Sequence, residues 1–131
     1  KKAAEIVKPD VVIVIDSLAA RDIDRVSTTI QLTDTGIQPG SGMGNHRAGI
    51  NEENIGVPVL AIGVPTVIDI KTILRDALEE NLDSAEAVEK YLSDYDRQMI
   101  VTSTDIDILV KDFSDIIADG INKTLHPGIY S

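Results

Sequence analysis

Residues 11–21 read VVIVIDSLAAR. The first five side chains are all β-branched, and a continuous β-branched run is typical of a strand buried on both faces, as in a parallel sheet. Residues 57–64 form a second apolar run, in which Pro58 is tolerated near the start of a strand. We therefore predict two buried strands, one over residues 11–15 and one over residues 57–64.

The remaining patterns alternate between strand and helix. Residues 26–32 alternate apolar and polar side chains, which predicts a half-exposed strand. Helices are predicted to begin at Pro65, after Asp83 and after Thr104. Strands that alternate with helices favour an α/β fold, with a largely parallel sheet flanked by helices.

Composition limits the function classes. The chain has 131 residues and a mass of 14.1 kDa, which suits one domain or part of one. Its 12 Lys and Arg residues against 22 Asp and Glu residues give a net charge of -10. We therefore predict no direct nucleic-acid binding, which needs clustered basic side chains, and no binding to anionic membranes.

Further classes are excluded by missing residues. The chain contains no Cys, so disulfides, thiol catalysis, Cys-based zinc sites and iron–sulfur clusters are ruled out. Its longest apolar run is far too short to span a bilayer, and no signal-peptide pattern opens the sequence. We expect a soluble protein.

Asp16 is the first candidate for chemistry. It directly follows the first predicted strand, and ligands of open α/β sheets bind beyond the carboxyl ends of the strands. A carboxylate there suits general acid–base catalysis or metal ligation. The alternative is structural: Asp16 caps a short helical segment over residues 17–21, or it pairs with Arg21.

Arg21 lies in a cluster of alternating charges with Asp22, Asp24 and Arg25. A surface salt-bridge cluster is the commoner explanation of such a pattern. The functional alternative is that Arg21 holds a carboxylate, either that of Asp16 or one on a substrate.

Residues 33–47 read TDTGIQPGSGMGNHR and belong to a predicted long loop over residues 33–56. The spacing of Gly40, Gly42 and Gly44 does not match the dinucleotide motif G-x-G-x-x-G, and no Walker A pattern exists in the chain. Glycines let a backbone approach another molecule closely, which we interpret as contact with a peptide substrate or a neighbouring subunit.

The two histidines, His46 and His126, are too few for a His-rich metal site. Ser41 lacks the G-x-S-x-G context of a serine hydrolase. We predict no metal site and no cofactor, and we expect no essential role for His46.

Several segments resemble the germination proteases of spore-forming bacteria. They are residues 8–21, 29–37, 39–45, 56–69 and 99–102, together with the last helix. Relatives in that family tend to carry Lys where His46 stands. Residues 79–98 form an acidic connection that matches poorly and looks shorter than in relatives.

The resemblance implies an endopeptidase that degrades small acid-soluble spore proteins during germination. Members of the family are made as inactive precursors, assemble as tetramers, act in the spore interior, and share the fold of hydrogenase-maturation peptidases, which is phosphorylase/hydrolase-like. They are classed as unconventional aspartic peptidases that need two Asp residues. One is matched here by Asp16, and the other belongs to a segment upstream of Lys1. Candidate substrate-binding or site-supporting residues within the matched segments are Arg21, Asp34, Gly40, Gly42, Gly44 and Asn45.

We expect residues 1–131 to be one α/β domain portion, the C-terminal part of a longer peptidase chain. Residue 1 is Lys, and the first residues read as the end of a helix that stops before Pro9. Such a piece is predicted to be inactive alone. Two alternatives stay open at this point: a non-catalytic domain for protein binding or oligomerisation, and a metal-dependent peptidase of related fold.

Overall fold

The computed structural model of the protein describes residues 1–40, 48–79, 85–94 and 99–130. The strands are β1 (Val12–Ala20), β2 (Gln31–Thr33), β3 (Val59–Asp69) and β4 (Ile100–Thr102). The helices are α1 (Lys2–Val7), α2 (Glu52–Ile55), α3 (Ile70–Glu79), α4 (Ala85–Asp94), α5 (Ile106–Leu125) and α6 (Pro127–Tyr130), with a 3-10 turn at Ile23–Arg25. None of the helices in these four ranges is long and apolar enough to cross a membrane.

β3 is the central strand of the described sheet. It pairs in parallel with β1 on one side, and on the other side it pairs antiparallel with β2 and then with β4. The α/β class is thus confirmed, but the sheet is mixed rather than largely parallel. The connection from β1 to β2 is too short for the crossover of a dozen or more residues that a parallel strand needs, so β2 turns back.

β1 is longer than its sequence predicted. The strand continues to Ala20, so Asp16 lies in the middle of β1 instead of beyond its end, and no helical segment forms over residues 17–21. The pairing with β3 explains the difference, because Asp16 lies opposite Gly63 and the ladder continues to Ala20 opposite Ile68.

β3 also passes the point at which a helix was predicted. Pro65 lies inside the strand, and helix α3 begins only at Ile70. A register shift between Leu18 and Ala19 lies beside Pro65, where proline leaves a gap in the ladder. Asp69 caps the N-terminus of α3, because its carboxylate accepts the backbone N–H of Lys71 at 2.8 Å.

Other sequence predictions were partly right. The strand predicted over residues 26–32 is shorter and lies further along the chain, at Gln31–Thr33. Helix α2 lies inside the predicted long loop. α4 matches the predicted short helix, although its expected cap Asp83 lies outside the described residues. α5 begins at Ile106 with Asp105 as its N-cap, rather than at a capping Thr104. β4 was not predicted.

The core is concentrated around β3. Its buried apolar side chains are Ala20, Val59, Ala61, Ile62, Val64, Ile68, Val88 and Leu92. By contrast, α5 has no buried residue, and its Ile108 and Ile116 are 64% and 58% exposed. Ile15 on β1 is 55% exposed, since β1 has a paired neighbour on one side only among the described strands.

Ser27 combines backbone strain with an unsatisfied hydroxyl. Its φ of 54° lies in the left-handed region, and its backbone N–H donates to the Pro65 carbonyl at 2.6 Å. Among the described residues, its buried hydroxyl has no hydrogen-bond partner. Ser27 therefore anchors the turn after β1 to the central strand at a cost in free energy.

We expect Ser27→Gly to have the higher free energy of unfolding of two matched variants. Ser27→Ala removes the unsatisfied hydroxyl but keeps the Cβ that a positive φ disfavours, whereas Ser27→Gly removes both. Since the left-handed conformation costs a non-glycine residue about 1 kcal/mol, urea denaturation should separate the two by about that amount. Equal stability of the two variants would contradict this explanation.

Candidate active site

Three residues form a row across the sheet. Asp16 on β1 and Gln31 on β2 are both paired with Gly63 on β3, from its two sides. Paired residues in neighbouring strands project to the same face, so the Asp16 carboxylate and the Gln31 amide share one face of the sheet. With strands about 4.8 Å apart, their Cα atoms are about 10 Å from each other.

Leu18 covers the middle of this row. A Cβ built on Gly63 would lie 2.7 Å from Leu18 Cγ, closer than side chains tolerate. The absence of a side chain at Gly63 therefore lets Leu18 lie over β3, where it forms an apolar floor between Asp16 and Gln31.

This row opens into a cavity of about 920 Å³. The remaining lining comes from β1, β3, α3 and the segments that follow β1 and β2. The lining residues are Asp16, Ser17, Leu18, Ala19, Ala20, Arg21, Arg25, Gln31, Gln38, Gly40, Val67, Asp69, Thr72 and Arg75.

The carboxylate of Asp16 leans toward the unpaired edge of β1. Asp16 is half-buried, and its Oδ1 accepts the backbone N–H of Ser17 at 2.9 Å. The Val12 N–H donates to the Pro58 carbonyl, toward β3, so by strand alternation the Ser17 N–H points away from β3. Asp16 is thus held at an edge that is open among the described strands.

Hydroxyl contacts fix the backbone beside Asp16. The Ser17 hydroxyl is hydrogen-bonded to the Thr66 hydroxyl on β3. The Thr102 hydroxyl donates to the Thr66 carbonyl at 2.6 Å, which adds β4 to the same set of contacts. These bonds stiffen β1 where the carboxylate is presented.

Arginines dominate the charge of the cavity. Arg21, Arg25 and Arg75 line it, against the carboxylates of Asp16 and Asp69. The Arg75 Nε donates to Glu89 Oε1 at 2.6 Å, which ties α3 to α4. This hydrogen bond, together with the positive charge of Arg75, holds the pKa of the exposed Glu89 carboxyl below its usual range.

Asp69 cannot act as a close partner of Asp16. It lies six positions beyond Gly63 on β3, about 20 Å along the strand, and its carboxylate caps α3. Among the described residues that line the cavity, Asp16 therefore has no neighbouring carboxylate.

The structure brings together some of the residues that the sequence singled out. Arg21 and Gly40 line the cavity with Asp16, and Gly40 has a φ of 74°, in the left-handed region. Arg21 forms no ion pair with Asp16 in the described part of the chain, because it lies past the end of β1. Asp34 is exposed beyond β2 and does not line the cavity.

Gly42, Gly44, Asn45 and His46 lie outside the described residues. The base of their loop is fixed, since Ile37 and Ile50 exchange two backbone hydrogen bonds of 2.9 Å and 2.8 Å. No group of three or more His, Asp or Glu side chains within the described ranges could hold a metal ion.

Sequence reasoning missed Gln31, Asp69 and Arg75 as cavity residues. Gln31 was visible as a polar position in an alternating segment, but only the register with Gly63 places it on the face of Asp16. The sequence placed Asp69 and Arg75 in a helix predicted to begin at Pro65, whereas α3 begins only at Ile70.

Comparison with known proteins identifies the family. The sequence model of the germination proteases matches residues 2–84, which is more than half of the chain. This chain belongs to the germination protease family. The matched range contains β1, β2, β3 and therefore the whole Asp16–Gly63–Gln31 row.

Individual germination proteases support this assignment. The chain is 43% identical to the germination protease of Caldanaerobacter subterraneus subsp. tengcongensis, over 98% of this chain and 47% of the relative. The identity is 41% for the protein of Clostridium perfringens, with the same shares covered. It is 35% for that of Bacillus pumilus, over 93% of this chain and 47% of the relative.

The chain spans about half the length of the curated relatives it matches. The alignment to the Caldanaerobacter germination protease runs over 152 positions, although this chain has 131 residues. That relative therefore has additional residues within the aligned stretch.

We expect Gly63→Ala to lower the free energy of unfolding by about 1–3 kcal/mol, because the new Cβ would displace Leu18 from the floor of the cavity. Gly120→Ala is the matched control, since a Cβ at this exposed position of α5 meets nothing within 4 Å and should be neutral or slightly stabilising. Urea denaturation measures both. A Gly63→Ala variant as stable as the unchanged chain would contradict the close packing of Leu18.

Proposed function

We propose that this chain forms part of an endopeptidase that degrades small acid-soluble spore proteins during germination, with Asp16 as one of two catalytic carboxylates. The observation that carries the proposal is the placement of Asp16, half-buried and fixed by Ser17, beside a large cavity in the segment matched to the germination protease family.

A single carboxylate cannot complete this chemistry. In peptide hydrolysis by a carboxylate pair, the ionised member takes a proton from water as the hydroxyl adds to the carbonyl carbon. The protonated member then supplies the proton that the amine needs as the C–N bond breaks. Neither role can be left vacant, so a second carboxylate has to reach Asp16.

The unpaired edge of β1 is where we place that second carboxylate. Asp16 leans toward this edge, and Asp69, the other acidic residue lining the cavity in the described part of the chain, is too distant. A strand added beside β1 would lie about 4.8 Å away, which lets two carboxylates on one face share a proton. The segment upstream of Lys1 is the proposed source.

The cavity suits a peptide substrate. Arg21 and Arg25 are exposed cations on its wall, where they could bind substrate carboxylates, and Gly40 lets the backbone approach closely. Asp34, Gly42, Gly44 and Asn45 remain proposed supporting residues of the same site. In this proposal the complete enzyme is made as an inactive precursor, assembles as a tetramer in the spore interior, and has a fold related to hydrogenase-maturation peptidases.

We expect Asp16→Asn, introduced into the complete protease that carries this segment, to lower the rate of cleavage of a small acid-soluble spore protein by roughly 10²–10⁴-fold. Asparagine keeps the shape of the side chain but can neither accept nor hold the proton. The matched control is Asp10→Asn, at an exposed position before β1, which should cleave normally.

Cleavage by the Asp16→Asn protein at the unchanged rate, in a normally assembled sample, would refute the catalytic role and leave the domain a binding or oligomerisation module. Loss of cleavage that a chelator reproduces in the unchanged enzyme would instead indicate a metal-dependent peptidase.

We also expect residues 1–131 to show no peptidase activity when prepared alone, because Asp16 then lacks its partner carboxylate. The measurement is incubation with a small acid-soluble spore protein, followed by gel electrophoresis and mass spectrometry. Cleavage that disappears in a matched Asp16→Asn sample would show that the chain is sufficient by itself.

A further inference from the structure

The Gln31 side chain is presented to the cavity. Its backbone is fixed opposite Gly63 in the β2–β3 ladder, while its side chain is exposed and lines the cavity. Within the described part of the chain, its amide forms no hydrogen bond. Its donor and acceptor are therefore both available to a bound molecule.

The surroundings of Gln31 favour an extended peptide as that molecule. Asp16 and Gln31 stand on the same face about 10 Å apart, with the apolar side chain of Leu18 between them. A peptide that crosses this floor can bury a side chain against Leu18 and Val67, while its backbone passes between the carboxylate and the amide.

A primary amide is chemically matched to a peptide group. The Gln31 Nε2 can donate to a main-chain carbonyl, and its Oε1 can accept from a main-chain N–H. Such contacts do not depend on the substrate's side chains, so they fix where the peptide lies without restricting its sequence. The reaction requires a fixed position of the peptide along the site, because the carbonyl to be attacked has to lie beside Asp16.

We propose that Gln31 binds a main-chain peptide group of the substrate through its side-chain amide, and thereby sets the register of the substrate relative to Asp16. This inference rests on the proposed endopeptidase function. Gln31 is a substrate-contacting residue in this account and takes no part in proton transfer.

The test uses the complete protease with Gln31→Met, which keeps the length of the side chain and removes the amide. We expect kcat/KM for a peptide substrate to fall about tenfold, the effect of losing one well-formed hydrogen bond. Gln31→Glu keeps size and polarity at this exposed position, so it tests the same contact if the Met variant folds poorly. Its carboxylate loses the donor, and a similar fall is expected.

A second measurement separates contact from a structural effect. A series of substrates with one backbone amide replaced by an ester, each at a different position, is cleaved by the unchanged enzyme and by Gln31→Met. One ester should lower kcat/KM of the unchanged enzyme by about tenfold, and that penalty should largely vanish in the variant, because the contact is already missing.

Two results would overturn the inference. Unchanged kcat/KM in both Gln31 variants overturns the inference, as does a loss of activity with the same ester penalties in variant and unchanged enzyme. Asp16→Asn is measured in parallel: if it is inactive while the Gln31 variants behave normally, this inference fails and the proposed function stands. If Asp16→Asn cleaves normally, the proposed function fails by itself.

Discussion

The parallel pairing of β1 with β3 around Gly63 is the interaction on which the candidate site depends. Because Gly63 has no side chain, Leu18 can lie across the central strand and the two strands can stay in register on both sides of Asp16. The same glycine is the partner of Gln31 on β2, so one position in β3 aligns the carboxylate and the amide on one face of the sheet.

In the described part of the chain, β1 is less covered by neighbouring elements than β3. β3 is paired along both of its sides and supplies most of the buried core, whereas β1 ends the sheet with Ile15 exposed. A nine-residue, mostly apolar strand with an open edge is a surface that proteins normally cover. The direction of the Asp16 carboxylate makes this edge functionally relevant, since that is where our account requires the second acid.

The sequence predicted the α/β class, the two apolar strands and most of the helices, because these depend on local patterns of apolar side chains. It placed Asp16 beyond the end of β1 instead of in the middle of that strand, and it placed the start of α3 too early in the chain. Both errors have the same cause: the residues after Ile15 and after Val64 look like turn or helix formers in isolation, and they remain extended because β1, β3 and β4 pair with one another.

The sequence singled out Asp16 as a candidate, but it predicted only part of the remaining cavity lining. Arg21 and Gly40 were found from charge and loop composition, but Gln31, Asp69 and Arg75 meet them only through register and helix placement. Asp34 shows the reverse case, since it belongs to a segment that resembles the family and yet lies beyond the end of β2 and does not line the cavity. Contacts between distant segments are the part of a site that local patterns do not encode.

Hydrogen exchange at the open edge of β1 tests the central claim most directly. The relevant amides are those of Ile13 and Ile15, which by strand alternation point away from β3, with the amides of β3 as the internal reference for a folded sheet. Our account predicts rapid exchange at these two positions in residues 1–131 alone and strong protection in the complete protease, where a further strand covers the edge. Equally rapid exchange in the complete protease, with β3 protected in both samples, would contradict it.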